Sequence, residues 1–557
     1  MFTFVSKLKL TKIWLLLPYS LRNLIKSFTG FSPYPDFNQL KISLEKVDVN
    51  TKKNFHFGTI IGSHRASNLL DSSLAKYLVD RGHSVSVLIC DENLPACLNS
   101  SIWKSKKKDR LDNTLSESPK KQDLCKVCFK NSEELWKSTN AKIYKISDLL
   151  TEADHKKINE TIKKLKLLGD VFYKEINLRE DIIAGCLRYL CLGDENKISE
   201  ELYERYAISS LRICFCYEKI LSIESVDTGV WVHGIYVPHG ILNKIFKKKQ
   251  INFYNYNTSY RENRFYFTKN DTYHKILPSE SFEQLSLDSF TESELKQAKE
   301  YLVSREKGSQ DWQQFNNKPL KDSLKELKKI GLKEDKKDLA VLFTNVVWDA
   351  RLHFQENLYD DMVDWIKDTV DFFKTSATKK LIIRVHPGEL ISHSVSREKV
   401  ADLDFLQNLP ENIILVPPES KISSYFLASI SKLNLVYATK MSMELCLYDA
   451  PIICCGDAWV KGKNATIDPS SKKEFLEILN LENWASLNNK INKKNGLSYS
   501  HYIFEKKPIY FPYFKVAQDR KSFSIDLSSY EKVYLSKESI LNFMERKLTN
   551  KEEIINS

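Results

Sequence analysis

Five short apolar runs, at residues 339–343, 381–385, 413–416, 433–438 and 451–455, alternate with stretches of helical periodicity, and this alternation narrows the possible folds more than any other feature. Between the first two runs, Leu358, Met362, Ile366, Val370 and Phe373 fall on one helical face. Residues 422–431 and 441–448 read as two further helices. Strands that are apolar throughout, with no polar residue at every second position, are covered on both faces. The pattern therefore predicts a parallel sheet with helices on either side. Such sheets bind ligands beyond the carboxyl ends of their strands. Thr344, Asn345, His386, Pro417, Thr439 and Gly456 should meet at that edge.

The N-terminal half carries a weaker version of the same pattern. Residues 57–61 read as a strand, 69–81 as a helix and 84–90 as a second strand after the Gly82-His83 turn. The intervening Gly62-Ser63-His64-Arg65 could hold a ligand at a helix start but lacks the GxGxxG spacing of a dinucleotide site. Residues 104–123, with Lys106-Lys107-Lys108 and almost no apolar side chains, read as a mobile insert. Helical periodicity fills 146–217, and strands at 229–233 and 251–256 flank a helix ending in Lys247-Lys248-Lys249. A chain of 557 residues exceeds one compact core. The expected class is α/β, with two Rossmann-like, doubly wound parallel-sheet domains facing a cleft. The expected divisions are a peripheral segment at 1–50, a first Rossmann-like domain at 51–290, a charged helical connection at 291–337, a second Rossmann-like domain at 338–480, and helices and a tail at 481–557.

The net charge of +12, from 84 basic and 72 acidic residues, is spread along the chain and reads as a solvated Lys-rich surface. Nucleic-acid binding would need a basic stripe with interleaved aromatics, and the triple lysine beside Phe246 does not provide one. Eleven cysteines without a signal-peptide pattern suit a reducing cytoplasm. The apolar stretch at 13–17 is too short to span a bilayer. Its flanking Lys7, Lys9, Lys12, Arg22 and Lys26 fit either a helix packed on the protein or a peripheral contact with the inner membrane. Cys90, Cys97, Cys125 and Cys128 include one CxxC pair. The six residues separating the first two are too many for usual zinc spacing, so free thiols are expected and no metal is assigned. Asp402-Leu403-Asp404 matches a DxD triplet but lies in a helical context, and it too is given no metal.

Breaking a bond to a phosphate requires stabilising the departing negative charge. Arg384-Val385-His386-Pro387-Gly388-Glu389 offers cationic and imidazole groups at a strand end, where Pro387 stops sheet pairing. Ser423, Ser424, Thr439 and Ser442 open the next two helices, as either phosphate ligands or ordinary N-caps.

Taken together, Arg384 to Glu389, Ser423-Ser424-Tyr425, Thr439 to Glu444, Ala450-Pro451-Ile452 and Gly456-Asp457 through Asp468-Pro469 resemble the C-terminal half of capsule polysaccharide biosynthesis glycosyltransferases. These are GT-B enzymes similar to capsular Kdo transferases and, more distantly, to bacterial sialyltransferases and glycerophosphotransferases. The segments Leu202-Tyr203-Glu204-Arg205 and His233 to Gly240 carry a fainter likeness upstream. The resemblance implies that His386 contacts or protonates the donor phosphate, that Thr439 and Ser442 bind it, that Glu444 holds ribose hydroxyls, and that Thr344 and Asn345 line the donor site. Lys440 and Met441 depart from it, standing where small residues are usual.

An acceptor must lose a proton, so a base is expected on the N-terminal domain. His233 and His239 are the leading candidates. His64, Asp71, Arg261 and Arg264 are candidate acceptor contacts, with His274 also in reach of an anion. The expected activity is metal-independent transfer of a sugar, with a CMP-linked acidic sugar as one donor, to a surface polysaccharide or lipid-linked acceptor. The nucleotide sugar is a co-substrate and no cofactor is required. Polyol-phosphate transfer and a non-catalytic assembly subunit are the alternatives.

Overall fold

The computed structural model describes residues 34–40, 44–98, 119–307, 309–312, 323–332, 338–353, 357–390, 396–516 and 523–556. The basic and apolar stretch at 1–33 and residues 104–118 of the expected insert lie outside them. The last part of that insert is not a loop. A helix runs Pro119–Lys137. It begins on a proline, whose fixed φ suits the first helical position.

The C-terminal sheet contains β9 (Asp338–Phe343), β10 (Lys379–Arg384), β11 (Ile413–Val416), β12 (Leu433–Val436) and β13 (Ile452–Cys454) in the order β11-β10-β9-β12-β13. Every pairing in it is parallel. The apolar runs dictate this, since each strand is sandwiched between helices. One covering helix, Met362–Thr375, buries Met362, Trp365, Ile366, Thr369, Val370 and Phe373. Asp361 caps it by accepting from the Val363 and Asp364 amides, which leaves Leu358 ahead of the helix instead of on its face.

The N-terminal sheet contains β1 (Asn54–Phe57), β2 (Ser84–Ile89), β3 (Lys142–Lys145), β6 (Thr228–Val232), β7 (Asn252–Thr258) and β8 (Arg264–Lys269). A small hairpin, β4 (Phe172–Tyr173) with β5 (Ile176–Asn177), pairs only with itself. The parallel part runs β3-β2-β1-β6-β7, the same first-strand-central order as the other sheet. β8 then adds antiparallel. β1 ends at Phe57, not at residue 61, and it is followed by Gly58, where a Cβ would lie 2.5 Å from Leu242 Cδ1. The following helix, Arg65–Asp80, begins four residues before its expected start at 69.

The C-terminal residues return to this first sheet. β14 (Ile509–Tyr510) pairs antiparallel with β8, and β15 (Phe514–Val516) with β16 (Phe523–Ile525) forms a hairpin beside it. Helices Leu527–Leu535 and Ile540–Asn550 cover helix Arg65–Asp80 through an aromatic layer that includes Tyr513, Tyr530 and Tyr534. Tyr530 donates to the Ser73 carbonyl at 2.7 Å, and Glu545 takes Arg81 at 3.0 Å and His83 at 2.9 Å. Among the described residues no helix is long and apolar enough to cross a membrane.

Glu545 is buried and holds two partners from the N-terminal half. Glu545→Ala is expected to lower the unfolding free energy by about 1–3 kcal/mol, read by urea denaturation, because Arg81 and His83 lose a charge-assisted acceptor.

Candidate active site

Parallel register sets the geometry at the C-terminal edge. Arg384 lies opposite Phe343 on one side and Val416 on the other. The backbone continues this ladder one step, Thr344 N–H donating to the Arg384 carbonyl at 3.1 Å. The His386 amide then donates to Thr344 Oγ at 3.0 Å, and Pro387 starts a short 3-10 turn. Within that turn the Gly388 amide donates to His386 Nδ1 at 2.9 Å, which makes Nδ1 the acceptor and leaves the ring proton on Nε2. A Cβ at position 388 would sit 2.5 Å from that same nitrogen. Burial, reinforced by Arg384, lowers the His386 pKa to about 4, so the imidazole is neutral at physiological pH.

Arg384 does not point a free guanidinium into this space. It donates to the Pro417 and Ser420 carbonyls at 2.7 and 3.2 Å and to Ser424 Oγ at 3.4 Å, and so shapes the loop after β11. Ser423 is the N-cap of helix Ser424–Ile430, accepting from the Tyr425 and Phe426 amides. Glu389 is fully buried, accepts from the Val400 amide at 3.0 Å, and leaves Oε2 with no partner. Burial raises its pKa to about 7. These four residues were expected to bind donor, but they build the walls of the site.

The segment after β12 is also partly committed. Asn345 donates from Nδ2 to the Ala438 carbonyl at 2.9 Å, tying the ends of β9 and β12 together. Ser442 is buried and its hydroxyl donates to the Thr439 carbonyl at 2.7 Å, whereas Thr439 Oγ only accepts a 3.4 Å contact from the Met441 amide. Glu444, expected at a ribose, has a protein partner on each oxygen. One oxygen takes Arg305 Nε at 3.0 Å and the other takes the Tyr425 hydroxyl at 2.5 Å. Arg305 also reaches Asp311 at 2.8 Å and the Tyr301 hydroxyl at 3.1 Å. Sequence reasoning missed this buried cluster, since Arg305 and Asp311 lie in a segment read only as a charged connection.

On the N-terminal edge, His64 and His233 stand edge to face with ring centres 5.6 Å apart. They follow β1 and β6, the two strands between which that sheet reverses its order. His233 adopts φ +62° and its buried Nδ1 meets no hydrogen-bond partner, while His64 Nδ1 pairs with Ser67 Oγ at 2.8 Å. Burial holds both rings neutral, His64 at about 4 and His233 well below the usual imidazole value. His239, expected as a base, and Asp71, expected as an acceptor contact, are buried, 1% and 0% exposed. Asp71 accepts from the Thr59 hydroxyl, and burial raises its pKa to about 8. Arg261 and Arg264 are tied to Glu505 in the C-terminal return, so they brace the fold.

A loop after β9 joins the two edges. Tyr236 accepts from the Ala350 amide and donates to Asp349 Oδ1, both at 3.1 Å, and Arg188 reaches Asp349 at 3.1 Å. His353 sits 6.0 Å from His274 and 6.2 Å from Tyr236, ring centre to ring centre. The carboxyl edges of the two sheets therefore face each other across this loop. All eleven cysteines are free, and burial pushes the Cys128 thiol up to about 12. Among the described residues no group of three or more His, Cys, Asp or Glu is placed to hold a metal ion.

Two facing sheets with this strand order form the GT-B arrangement. No family model matches the chain, and no curated protein does. Among solved structures it is similar to two KpsC domains of Thermosulfurimonas dismutans. The β-Kdo 2,4 transferase is 13% identical, with 51% of this chain and 82% of that one covered and a TM-score of 0.36. The β-Kdo 2,7 transferase is 11% identical, with coverages of 59% and 89% and a TM-score of 0.32. A UDP-GlcNAc 2-epimerase from Neisseria meningitidis, bound to UDP-GlcNAc, is 10% identical over 81% of this chain and 97% of its own, with a TM-score of 0.24. The assignment of the fold rests on the strand orders and registers described above.

Two outcomes test this geometry. The folded chain holds the Glu389 proton up to about pH 7, against an ordinary carboxyl value of 4.5, so stability declines as pH rises through that window. Glu389→Gln should remove this contribution, flattening the pH profile of urea stability between pH 5 and 7.5 by at most about 1.4 kcal/mol per pH unit. Arg305→Met should cost about 3–5 kcal/mol, seen as a lowered melting temperature, by stranding two buried carboxylates; adding Glu444→Gln should recover part of the loss.

Proposed function

We propose that this chain is a glycosyltransferase that moves a sugar from a nucleotide-sugar donor to a surface polysaccharide or lipid-linked acceptor. The observation that carries the reading is the neutral His386 at the end of β10, its Nδ1 fixed by the Gly388 amide so that Nε2 carries the proton. A neutral imidazole acts here as a hydrogen-bond donor to the departing phosphate more readily than as a full acid, because its pKa is too low for it to hold a second proton. Thr439 and Thr344 each accept an amide hydrogen, which leaves their hydroxyl protons to donate to the same group.

The opposite edge supports the other half of the reaction. His233, half-buried and neutral, is assigned as the base for the acceptor hydroxyl because its Nδ1 meets no hydrogen-bond partner, while the desolvation that lowers its pKa also weakens it as a base. His64 beside it sets the ring's surroundings. A CMP-linked acidic sugar is the first donor to try, on the resemblance of the Arg384 to Glu389 and Thr439 to Glu444 segments. The basic N-terminal segment supports work at the cytoplasmic face of a membrane, where lipid-linked acceptors are presented.

Nucleotide release from a panel of sugar nucleotides tests the proposal. His386→Ala should lower kcat about 10²–10³-fold with a much smaller change in KM, as expected for one lost donor to the leaving group. Release at wild-type rates by that variant would remove His386 from the chemistry, and phosphorus carried into the product would turn the reading towards polyol-phosphate transfer.

A further inference from the structure

Three side-chain cations lie close to the carboxyl ends of the C-terminal strands, and they are engaged in different ways. Arg384 is saturated by two carbonyls and a hydroxyl. Arg305 is neutralised by Glu444 and Asp311. Lys440 is not matched in either way. Its ammonium lies 4.0 Å from the ring centre of Tyr260 and 4.9 Å from that of Trp459, and among the described residues no hydrogen-bond acceptor meets it. Ring faces offset only part of the cost of drawing an ammonium out of water. The nearest carboxylate, Glu444, already has Arg305 on one oxygen and Tyr425 on the other. Lys440 is therefore a half-buried amine whose carboxylate neighbour, Glu444, is shared with Arg305 and Tyr425.

Its position is specific. Lys440 follows β12, the strand across which the C-terminal sheet reverses its order, and Asn345 bridges that gap to the end of β9. Tyr260 comes from the connection between β7 and β8, so the cage is closed by a side chain from each half of the chain. We infer that Lys440 is an anion-binding residue of the cleft, contributing its ammonium to the phosphate of the sugar-nucleotide donor. This inference rests on the glycosyltransferase reading and names a residue at which the chain departs from the family it resembles.

Burial lowers the Lys440 pKa to about 7, with Glu444 opposing. The groups facing it are Glu444 on its own turn, Tyr260 from the β7–β8 connection, Arg305 beyond the same Tyr260 ring at 5.1 Å, and Tyr266 and Tyr273 behind Trp459. A bound phosphate favours the charged amine, so binding should draw in a proton above pH 7.

Calorimetry of CMP-N-acetylneuraminic acid, a phosphodiester, and UDP-GlcNAc, a pyrophosphate diester, neither of which titrates near neutrality, reads this directly. In wild type at pH 7.5–8.5 the binding enthalpy should vary with buffer ionisation, reporting uptake of up to one proton, and affinity should fall as pH rises. Lys440→Arg should bind without uptake and without the fall, and Lys440→Met should bind at least tenfold more weakly. Uptake that persists in Lys440→Arg, or Lys440→Met affinity within twofold of wild type, overturns the inference and leaves the enzymatic proposal standing. A folded wild type that binds neither compound, and releases nucleotide from no sugar nucleotide, overturns both.

Discussion

Parallel pairing of β12 with β9 is the constraint on which the C-terminal half depends. β10 pairs with the other side of β9, so the segments leaving the carboxyl ends of β9 and β12 part to opposite faces of the sheet and open a gap between them. Asn345 spans this gap, Thr344 fixes the His386 amide on one side of it, and Thr439 and Lys440 line the other. The N-terminal sheet repeats the device with β1 and β6, and places His64 against His233. The loop at 345–353 couples the two gaps. Trp348 donates to Ser396 Oγ, and the Ser396 amide donates to the Glu389 carbonyl, so the His386 turn is linked through this loop to Tyr236 and Arg188 of the other half.

What could be read in the sequence was what local pattern determines. The five C-terminal strands lie within two residues of their expected limits, and β11 matches at both ends, because an apolar run between turn residues has few ways to be buried. Helix 441–448 proved shorter. Regular α-helix ends at Glu444 and Leu445–Leu447 tightens into a 3-10 turn, a change with no marker in the residue pattern.

The site was legible in position but not in role. His386, Thr344 and Thr439 lie where strand-end reasoning puts them, since that depends on strand order alone. The ribose role of Glu444 is implied by the resemblance alone, and its pairing with Arg305, 139 residues away, leaves no local signal in the sequence. Arg261 and Arg264 were read as acceptor contacts because Glu505, which takes them up, belongs to a segment with no visible reason to return. Ser423 and Ser424 illustrate the recurrent ambiguity of hydroxyls at a helix start, here resolved as a cap and an acceptor for Arg384. Lys440 was visible only as a departure from a pattern. Its meaning required the two rings around it.

The return of the chain to β8 has a bearing on how the protein is made. About 240 residues separate the end of β8 from β14, and the whole C-terminal sheet is translated between them. During synthesis the N-terminal sheet therefore exists with an open antiparallel edge and with helix Arg65–Asp80 missing the aromatic layer of Tyr513, Tyr530 and Tyr534. An unpaired strand edge beside uncovered apolar surface is a template for association with other chains. The first half to emerge is thus the last to be completed.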